Sequence, residues 1–194
     1  PGKPKSEHSL PGVDRPMEHA GQKDNDEPGV TGKAGSLTNA LVYIKTGIEC
    51  KNCEFSKEPV SIAQHGCMFD PRVIAVRAGQ MVNVKNMDPV SHNFHAMPSN
   101  SRDWDQQQSP GAPDMEHRFP RPEIMIPVKC NVHAWMRAYI GVMPNPYFAV
   151  TGADGVFELK NVPPGDYTVA AWHEKLDEVA KPVHLNPNGK EGVD

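Results

Sequence analysis

The chain has 194 residues and a formal net charge of −4, which is enough length for one large or two small domains with buried cores. Acidic and basic residues are mixed along the chain, which gives no support for a nucleic-acid partner, and no apolar run is long enough to span a bilayer. The 20 Pro and 16 Gly favour short strands joined by turns over long helices.

The N-terminal residues 1–35 are polar, interrupted by Pro and Gly and without periodicity, so we expect an arm or linker. The chain begins with Pro1 rather than Met. We expect that a leader has been removed, and that the protein is periplasmic or otherwise extracytoplasmic, with a membrane tether at the processed N-terminus. A first residue chosen artificially would give the same N-terminal sequence.

Short strands are predicted through the first half of the chain, because β-branched and apolar residues alternate with turn residues. Their ranges are 41–44, 60–62, 72–76, 81–84 and 92–96.

A long polar segment at 98–122 has no apolar period, and we predict a functional or partner-facing loop there. Strands resume afterwards, and 174–180 alone could form a short helix, with His173 at a surface strand end. The sequence therefore predicts an all-β protein. The later strand ranges are 124–129, 138–143, 147–150, 156–159, 166–172 and 182–185.

Two of the four cysteines form the C-x2-C pair Cys50 and Cys53. Glu54 follows the pair, which excludes the usual haem attachment pattern. The pair could be a disulfide in an oxidising compartment, a redox pair or half of a zinc site, and the disulfide is favoured. We expect Cys67 to be a buried thiol.

Three potential metal ligands lie close together in a C-x2-H-x2-M pattern, namely Cys130, His133 and Met136, while His92 lies on an earlier predicted strand. Two imidazoles and one thiolate in a trigonal plane, with a weak axial thioether, make a type 1 copper site. A strand, a turn and the next strand can present three such ligands at one end of a sheet. We therefore predict one mononuclear copper site.

The neighbours of these residues have predicted roles of their own. Asn93 is expected to tie the two ligand segments together by hydrogen bonds. Ala134 and Trp135 would surround the exposed edge of His133 with an apolar patch on which a redox partner protein could dock. His95 lies three residues after His92, so on a regular strand it faces the opposite way and is not expected to bind the metal.

Other interpretations of the motif remain open. A cysteine near a histidine can be a buried thiol beside a packed imidazole, without any metal. Zinc could be held by Cys50, Cys53, Cys130 and His133, although His92 and Met136 would then have no role. A binuclear copper centre needs two cysteines in the ligand loop, which has one. A closed four-ligand site leaves no position for a substrate, so we do not expect an enzyme.

One resemblance covers residues 59–143. The segment FDPRVIAVRAG at 69–79, the Asn86-Met87-Asp88 run and His92-Asn93 resemble the cupredoxin pattern of plastocyanin and amicyanin. The ligand loop with Arg137 after the methionine is most similar to amicyanin. The resemblance implies a Greek-key β-sandwich, one-electron transfer and copper ligation by His92, Cys130, His133 and Met136. The insertion at 98–122 departs from the pattern beside the presumed site.

A second resemblance covers most of the remainder. The segments VTGADGVFEL at 150–159 and VPPGDYTV at 162–169 are similar to carboxypeptidase-regulatory or transthyretin-like β-sandwich modules, which usually begin with a segment like 37–44. We therefore predict that a cupredoxin domain at 59–143 is inserted in, or joined to, a discontinuous module of residues 36–58 plus 144–190. This second motif implies scaffolding or binding and nothing narrower.

Two classes of function follow from the sequence. The favoured one is a blue copper protein for electron transport, either alone or as a subunit of a larger, membrane-associated redox complex. The alternative is a non-redox binding or structural β-sandwich protein whose zinc or copper site is structural.

Overall fold

The computed structural model describes residues 36–50, 53, 55–187, 189 and 191–193. Strands and turns, without a helix, make up these described residues, which confirms the all-β prediction. The described part of the chain thus lacks any helix with the length and apolar character needed to cross a bilayer. The predicted arm at 1–35 lies outside the described residues.

The strands are β1 Leu41–Thr46, β2 Val60–His65, β3 Met68–Asp70, β4 Val73–Arg77, β5 Met81–Asn86, β6 His92–Ala96, β7 Trp104–Gln108, β8 Met115–Arg118, β9 Glu123–Lys129, β10 Arg137–Met143, β11 Phe148–Val150, β12 Gly165–His173 and β13 Asp177–Leu185.

Two sheets enclose the larger core. One has the strand order β3-β2-β5-β8 and the other has the order β4-β10-β9-β6-β7. The strands alternate their side chains between faces, so each sheet contributes one apolar face to the space between them. Buried aliphatic and aromatic side chains fill this space, including Ile62, Val82, Val84, Val76, Phe94, Ile126, Val128 and Ile140.

A third sheet, with the order β11-β1-β12-β13, covers the other face of the five-stranded sheet. Its Leu41 and Tyr43 pack with Val73 of β4 and Met143 of β10. Both faces of β4 are therefore buried, which explains why its sequence is apolar from Val73 to Val76. Gly141 allows the layers to approach, because a Cβ there would lie 2.7 Å from Cδ2 of Leu41.

Residues from both sides of the 59–143 segment meet in this third sheet. Strand β1 precedes the segment and pairs with β11 and β12, which follow it. The division of the chain into two domains, with the transthyretin-like assignment of this sheet, stays a prediction.

A buried ion pair connects the five-stranded sheet with the third sheet. Arg72, just before β4, donates from Nε and Nη2 to the carboxylate of Glu174, just after β12, at 2.6 and 2.8 Å. The side chains are only 13% and 6% exposed. Burial by itself would raise the pKa of Glu174, but the guanidinium outweighs it and lowers this pKa.

The segment 98–122 contains two strands, so the prediction of a loop throughout was wrong, whereas its functional or partner-facing role stays a prediction. Strand β7 pairs with β6, and β8 pairs with β5. Strand β7 is one of the two edge strands of its sheet, and most of its side chains face solvent. An exposed edge strand needs no apolar alternation, and its sequence therefore looks like a loop.

The chain on both sides of β12 also differs from expectation. Residues 174–180 form a tight turn and the start of β13 rather than a helix, and residues 156–159 are not a strand. His173 is buried rather than on the surface, since its ring hydrogen-bonds to the backbone of Thr38 and to the N–H of Lys175. Thr38 lies before β1, more than 130 residues earlier in the chain.

Cys50 and Cys53 form a disulfide, which confirms the favoured interpretation of the C-x2-C pair. The zinc site built from these two cysteines is therefore excluded in this oxidised form, because neither sulfur is available as a thiolate.

Candidate metal centre

The loop between β9 and β10 holds three of the predicted ligands. Cys130 directly follows β9 and Met136 directly precedes β10. The Cys130 N–H donates to the Met136 carbonyl at 3.2 Å, and the Met136 N–H donates to the His133 carbonyl at 3.0 Å. These two bonds close the loop, so all three residues lie at one end of the five-stranded sheet.

His92 is the first residue of β6, which lies beside β9 in the same sheet. Its Nδ1 lies 3.1 Å from Nδ1 of His133, and both rings are buried. The two imidazoles therefore direct the same nitrogen toward a common point, although the two residues are 41 positions apart.

Cys130 completes a triangle of ligand atoms with the two imidazoles. Its Sγ lies 3.7 Å from Nδ1 of His133 and accepts backbone N–H groups from Asn93 and His133 at 3.3 and 3.4 Å. Burial would raise the pKa of this thiol. Hydrogen bonds from His92 and from these backbone groups outweigh burial and lower the pKa to about 6. The thiolate form needed for metal binding is thus favoured.

The spacing of these atoms fits a bound transition-metal ion. Metal–imidazole bonds of about 2.0–2.1 Å and metal–thiolate bonds of about 2.3 Å, at angles between tetrahedral and trigonal-planar, separate two nitrogen ligands by roughly 3.3–3.6 Å. They separate nitrogen from sulfur by roughly 3.6–3.8 Å. The corresponding distances here are 3.1 and 3.7 Å. Met136 has no exposed surface and packs in the same apolar cluster as Cys130. These four residues could hold copper.

Asp88 holds the other side of the His92 ring. Its Oδ2 lies 2.7 Å from Nε2 of His92, and its two oxygens also accept the N–H groups of Gly66 and Cys67 at 2.7 and 2.8 Å. Burial alone would raise the pKa of Asp88, but these donors lower it. The pKa of His92 is raised, because hydrogen bonds to Cys130 and Asp88 outweigh its burial.

Asp88 was not identified from the sequence as part of the site. Its position four residues before His92 was the available signal, since a carboxylate that accepts the outer N–H of a ligating histidine is a recurrent arrangement. It fixes the ring orientation and leaves Nδ1 directed at the centre.

Cys67 is the second residue that sequence reasoning did not connect with the site. The ligand atoms of Cys67, His92 and His133 all lie within 4.8 Å of one another, and all three residues are buried. The expectation of a buried thiol was correct, but the sequence carried no sign of these two neighbours.

The other predicted site residues surround this centre. The Oδ1 atom of Asn93 accepts a hydrogen bond from the backbone N–H of Asn131 at 3.3 Å, and the Asn93 side chain also hydrogen-bonds to Asp105. Asn93 therefore links the two ligand segments. His95 lies away from the centre, with Nδ1 3.2 Å from Asn131 and Nε2 3.1 Å from Asp103.

The surface beside the centre combines apolar and basic residues. Ala134 is exposed, while Trp135 is half-buried and donates from Nε1 to the Cys67 carbonyl at 3.1 Å. An adjacent depression of about 390 Å³ is lined by residues that include Lys129, Ala134 and Arg137. His133 retains 8% exposure whereas His92 has none, so His133 is the imidazole nearer the surface.

Known proteins resemble part of this chain in fold. No protein-family model and no curated protein sequence matches it. A copper-containing nitrite reductase from Thermus scotoductus SA-01 aligns with 50% of this chain and 25% of its own at 16% identity and a TM-score of 0.41. A purple cupredoxin from Nitrosopumilus maritimus aligns with 43% of this chain and 99% of its own at 18% identity and a TM-score of 0.37. Amicyanin from Paracoccus versutus aligns with 53% and 97% at 12% identity and a TM-score of 0.39.

Proposed function

We propose that this chain is a copper protein that transfers single electrons. In this proposal His92, Cys130 and His133 bind one copper ion in a plane, and Met136 supplies a weak axial thioether. The observation that carries the proposal is the triangle of ligand atoms, with 3.1 Å between the two Nδ1 atoms and 3.7 Å between Cys130 Sγ and His133 Nδ1.

The protein holds these ligands in place before a metal binds. Two backbone N–H groups fix the Cys130 sulfur, and Asp88 fixes the ring of His92. Bound copper would supply a one-electron couple between Cu(I) and Cu(II). Because buried hydrogen bonds hold the donors, little movement is needed when the charge of the centre changes. Small reorganisation is what an electron carrier requires, and a closed ligand set leaves no position for a substrate.

Electrons would pass through the edge of His133, which is the imidazole nearer the surface. Ala134 and Val132 are exposed beside it, and Val132 is 60% exposed. The exposed cations Lys129 and Arg137 lie on the neighbouring depression. An apolar centre with a basic rim suits a redox partner protein that presents acidic groups around its own cofactor.

The disulfide between Cys50 and Cys53 supports an extracytoplasmic location, because disulfides persist in oxidising compartments. We propose that the protein works in the periplasm or an equivalent compartment, where it serves a membrane-associated or multi-subunit redox complex.

Copper(II) titration tests the proposal. One copper per chain should bind and give an intense thiolate-to-copper absorption band. Two thiols lie near the imidazoles, so two variants are compared. Cys67→Ser should retain the thiolate-to-copper band, and the double variant Cys67→Ser with Cys130→Ser should have no such band. His92→Gln should weaken copper binding, whereas the matched change His184→Gln, at an exposed histidine on β13, should not.

A colourless protein that holds one zinc per chain and refuses copper would contradict the proposal. That result would favour the alternative in which the metal has a structural role.

A further inference from the structure

A second thiol lies beside the two imidazoles of the proposed copper centre. Cys67 belongs to the turn between β2 and β3, 63 residues before Cys130 in the chain. Its sulfur and the ligand atoms of His92 and His133 are all within 4.8 Å of one another. The residue is only 2% exposed. Two buried cysteines therefore flank the same pair of imidazoles.

The turn that carries Cys67 is held in an unfavourable backbone conformation. His65 pairs with Met68, and the two residues between them, Gly66 and Cys67, have φ angles of +60° and +56°. Positive φ at both positions is typical of a type I′ turn, in which glycine or asparagine is favoured at the second position. A cysteine at this position is strained, and it persists because surrounding contacts hold it.

Those contacts come from the metal centre itself. The Asp88 carboxylate that binds the outer nitrogen of His92 also accepts the N–H groups of Gly66 and Cys67. On the other side, Trp135 of the ligand loop donates to the Cys67 carbonyl at 3.1 Å. The position of Cys67 is thus set by the same groups that set the positions of the proposed ligands.

We propose that Cys67 is a second thiolate ligand of this centre. This inference rests on the proposed metal centre and extends it. Cys67, Cys130, His92 and His133 make a set of two thiolates and two imidazoles, which suits tetrahedral Zn²⁺, Co²⁺ and Cu(I). Both thiolates bind the metal ion in such a centre. The Met136 thioether is then a weaker ligand than either thiolate.

Cobalt(II) counts the thiolates directly, because each cobalt–thiolate bond contributes near-ultraviolet charge-transfer absorption and cobalt(II) favours the same tetrahedral geometry as zinc. The full chain is loaded with one Co²⁺, and wild type is compared with Cys67→Ser, Cys130→Ser and the double variant. Each single variant should retain about half of the wild-type charge-transfer intensity, and the double variant should have none. X-ray absorption of the zinc-loaded protein should give two sulfur neighbours in wild type and one in Cys67→Ser.

Zinc affinity provides a second measurement. Competition with a chelator should show a loss of at least about tenfold in Cys67→Ser, because a bound ligand matters at least as much as a residue that only orients one. Cys67→Gly serves as a second variant, since glycine adopts positive φ without strain and removes the thiol while keeping the turn.

The outcomes separate this inference from the proposed function. If Cys67→Ser and Cys67→Gly keep the wild-type cobalt intensity and zinc affinity, Cys67 is not a ligand and the inference is overturned, while the copper proposal stands. If wild type, Cys67→Ser and Cys67→Gly all lack a thiolate-to-copper band, the copper proposal fails. Failure of wild type to bind Co²⁺, Zn²⁺ or copper overturns both.

Discussion

The carboxylate of Asp88 lies 2.7 Å from Nε2 of His92, and neither side chain is more than 2% exposed. The pair is buried beneath the candidate metal centre, where His92 directs its other nitrogen at His133. The carboxylate thereby fixes the orientation of the ring and favours its charged form.

Replacing Asp88 by Asn should weaken metal binding. The neutral amide makes the His92 imidazole a poorer donor and no longer holds both N–H groups of the Cys67 turn, so copper and zinc affinity should fall by about 10–100-fold. The reduction potential should rise, because the oxidised metal loses more stabilisation than the reduced metal.

Chelator competition and redox titration measure these two effects. Asp166→Asn is the matched control, since Asp166 forms a similar but exposed pair with His184 at 2.6 Å. Equal metal affinity of Asp88→Asn and Asp166→Asn would show that Asp88 does not support the centre.

Met136→Leu should keep the thiolate-to-copper band and raise the reduction potential. The substitution preserves volume and apolar character in a fully buried position, but it removes a weak donor that stabilises Cu(II) more than Cu(I). Met143→Leu, at a fully buried methionine of the other apolar cluster, should leave the potential unchanged. A potential for Met136→Leu equal to that of wild type would remove Met136 from the site.

The Cys130 thiol should be ionised at neutral pH in the metal-free protein, because its pKa is lowered to about 6. Thiolate absorbance, taken as the difference between wild type and Cys130→Ser, should therefore disappear on acidification with a midpoint near 6 rather than about 8.5. Metal affinity should fall over the same range, because protons compete for the sulfur.

His92→Gln should move this midpoint upward, since the imidazole hydrogen bond to the sulfur is lost. A midpoint near the ordinary cysteine value in wild type would show that the site does not prepare the thiolate.

Glu174→Gln should destabilise the fold without affecting the metal centre. The change removes the carboxylate charge that pairs with the buried guanidinium of Arg72, at a cost of about 3 kcal/mol. Glu158→Gln, in the exposed pair with Lys160 at 3.4 Å, should change stability by less than about 0.5 kcal/mol. Denaturant unfolding of both variants makes the comparison.

The pH dependence of the Glu174 effect has a definite sign. The folded-state pKa of Glu174 is lowered, so its stabilisation is fully present above the unfolded pKa and is lost as the pH falls through the folded value. The difference between wild type and Glu174→Gln should therefore be largest at neutral pH and shrink below about pH 4. A difference independent of pH would contradict the role of this ion pair.

Local patterns in the sequence were sufficient for part of this structure. Strands β4 and β10 carry apolar runs, and β5 alternates between buried and more exposed residues. The C-x2-H-x2-M spacing indicates a loop that brings Cys130 and His133 together. The loop closes through bonds between near neighbours in the chain, such as Cys130 with Met136. Information of this kind is visible in a single sequence.

The remainder depends on contacts between distant segments. The turn at Cys67 reaches His92 and His133 only because β2 pairs in parallel with β5 and the loop after β5 places Asp88 beneath the turn. The buried ring of His173 hydrogen-bonds to the backbone of Thr38, which lies before β1. No local period encodes these pairings, and an exposed edge strand such as β7 resembles a loop in sequence.

The position of copper in the loaded protein is the most direct test of the account. Anomalous diffraction from crystals of the copper-loaded chain should locate one ion bonded to Nδ1 of His92, Nδ1 of His133 and Sγ of Cys130, each at about 2.0–2.3 Å. Copper bound elsewhere, or absent from these three atoms at full loading, would contradict the proposal that this site is a copper centre for electron transfer.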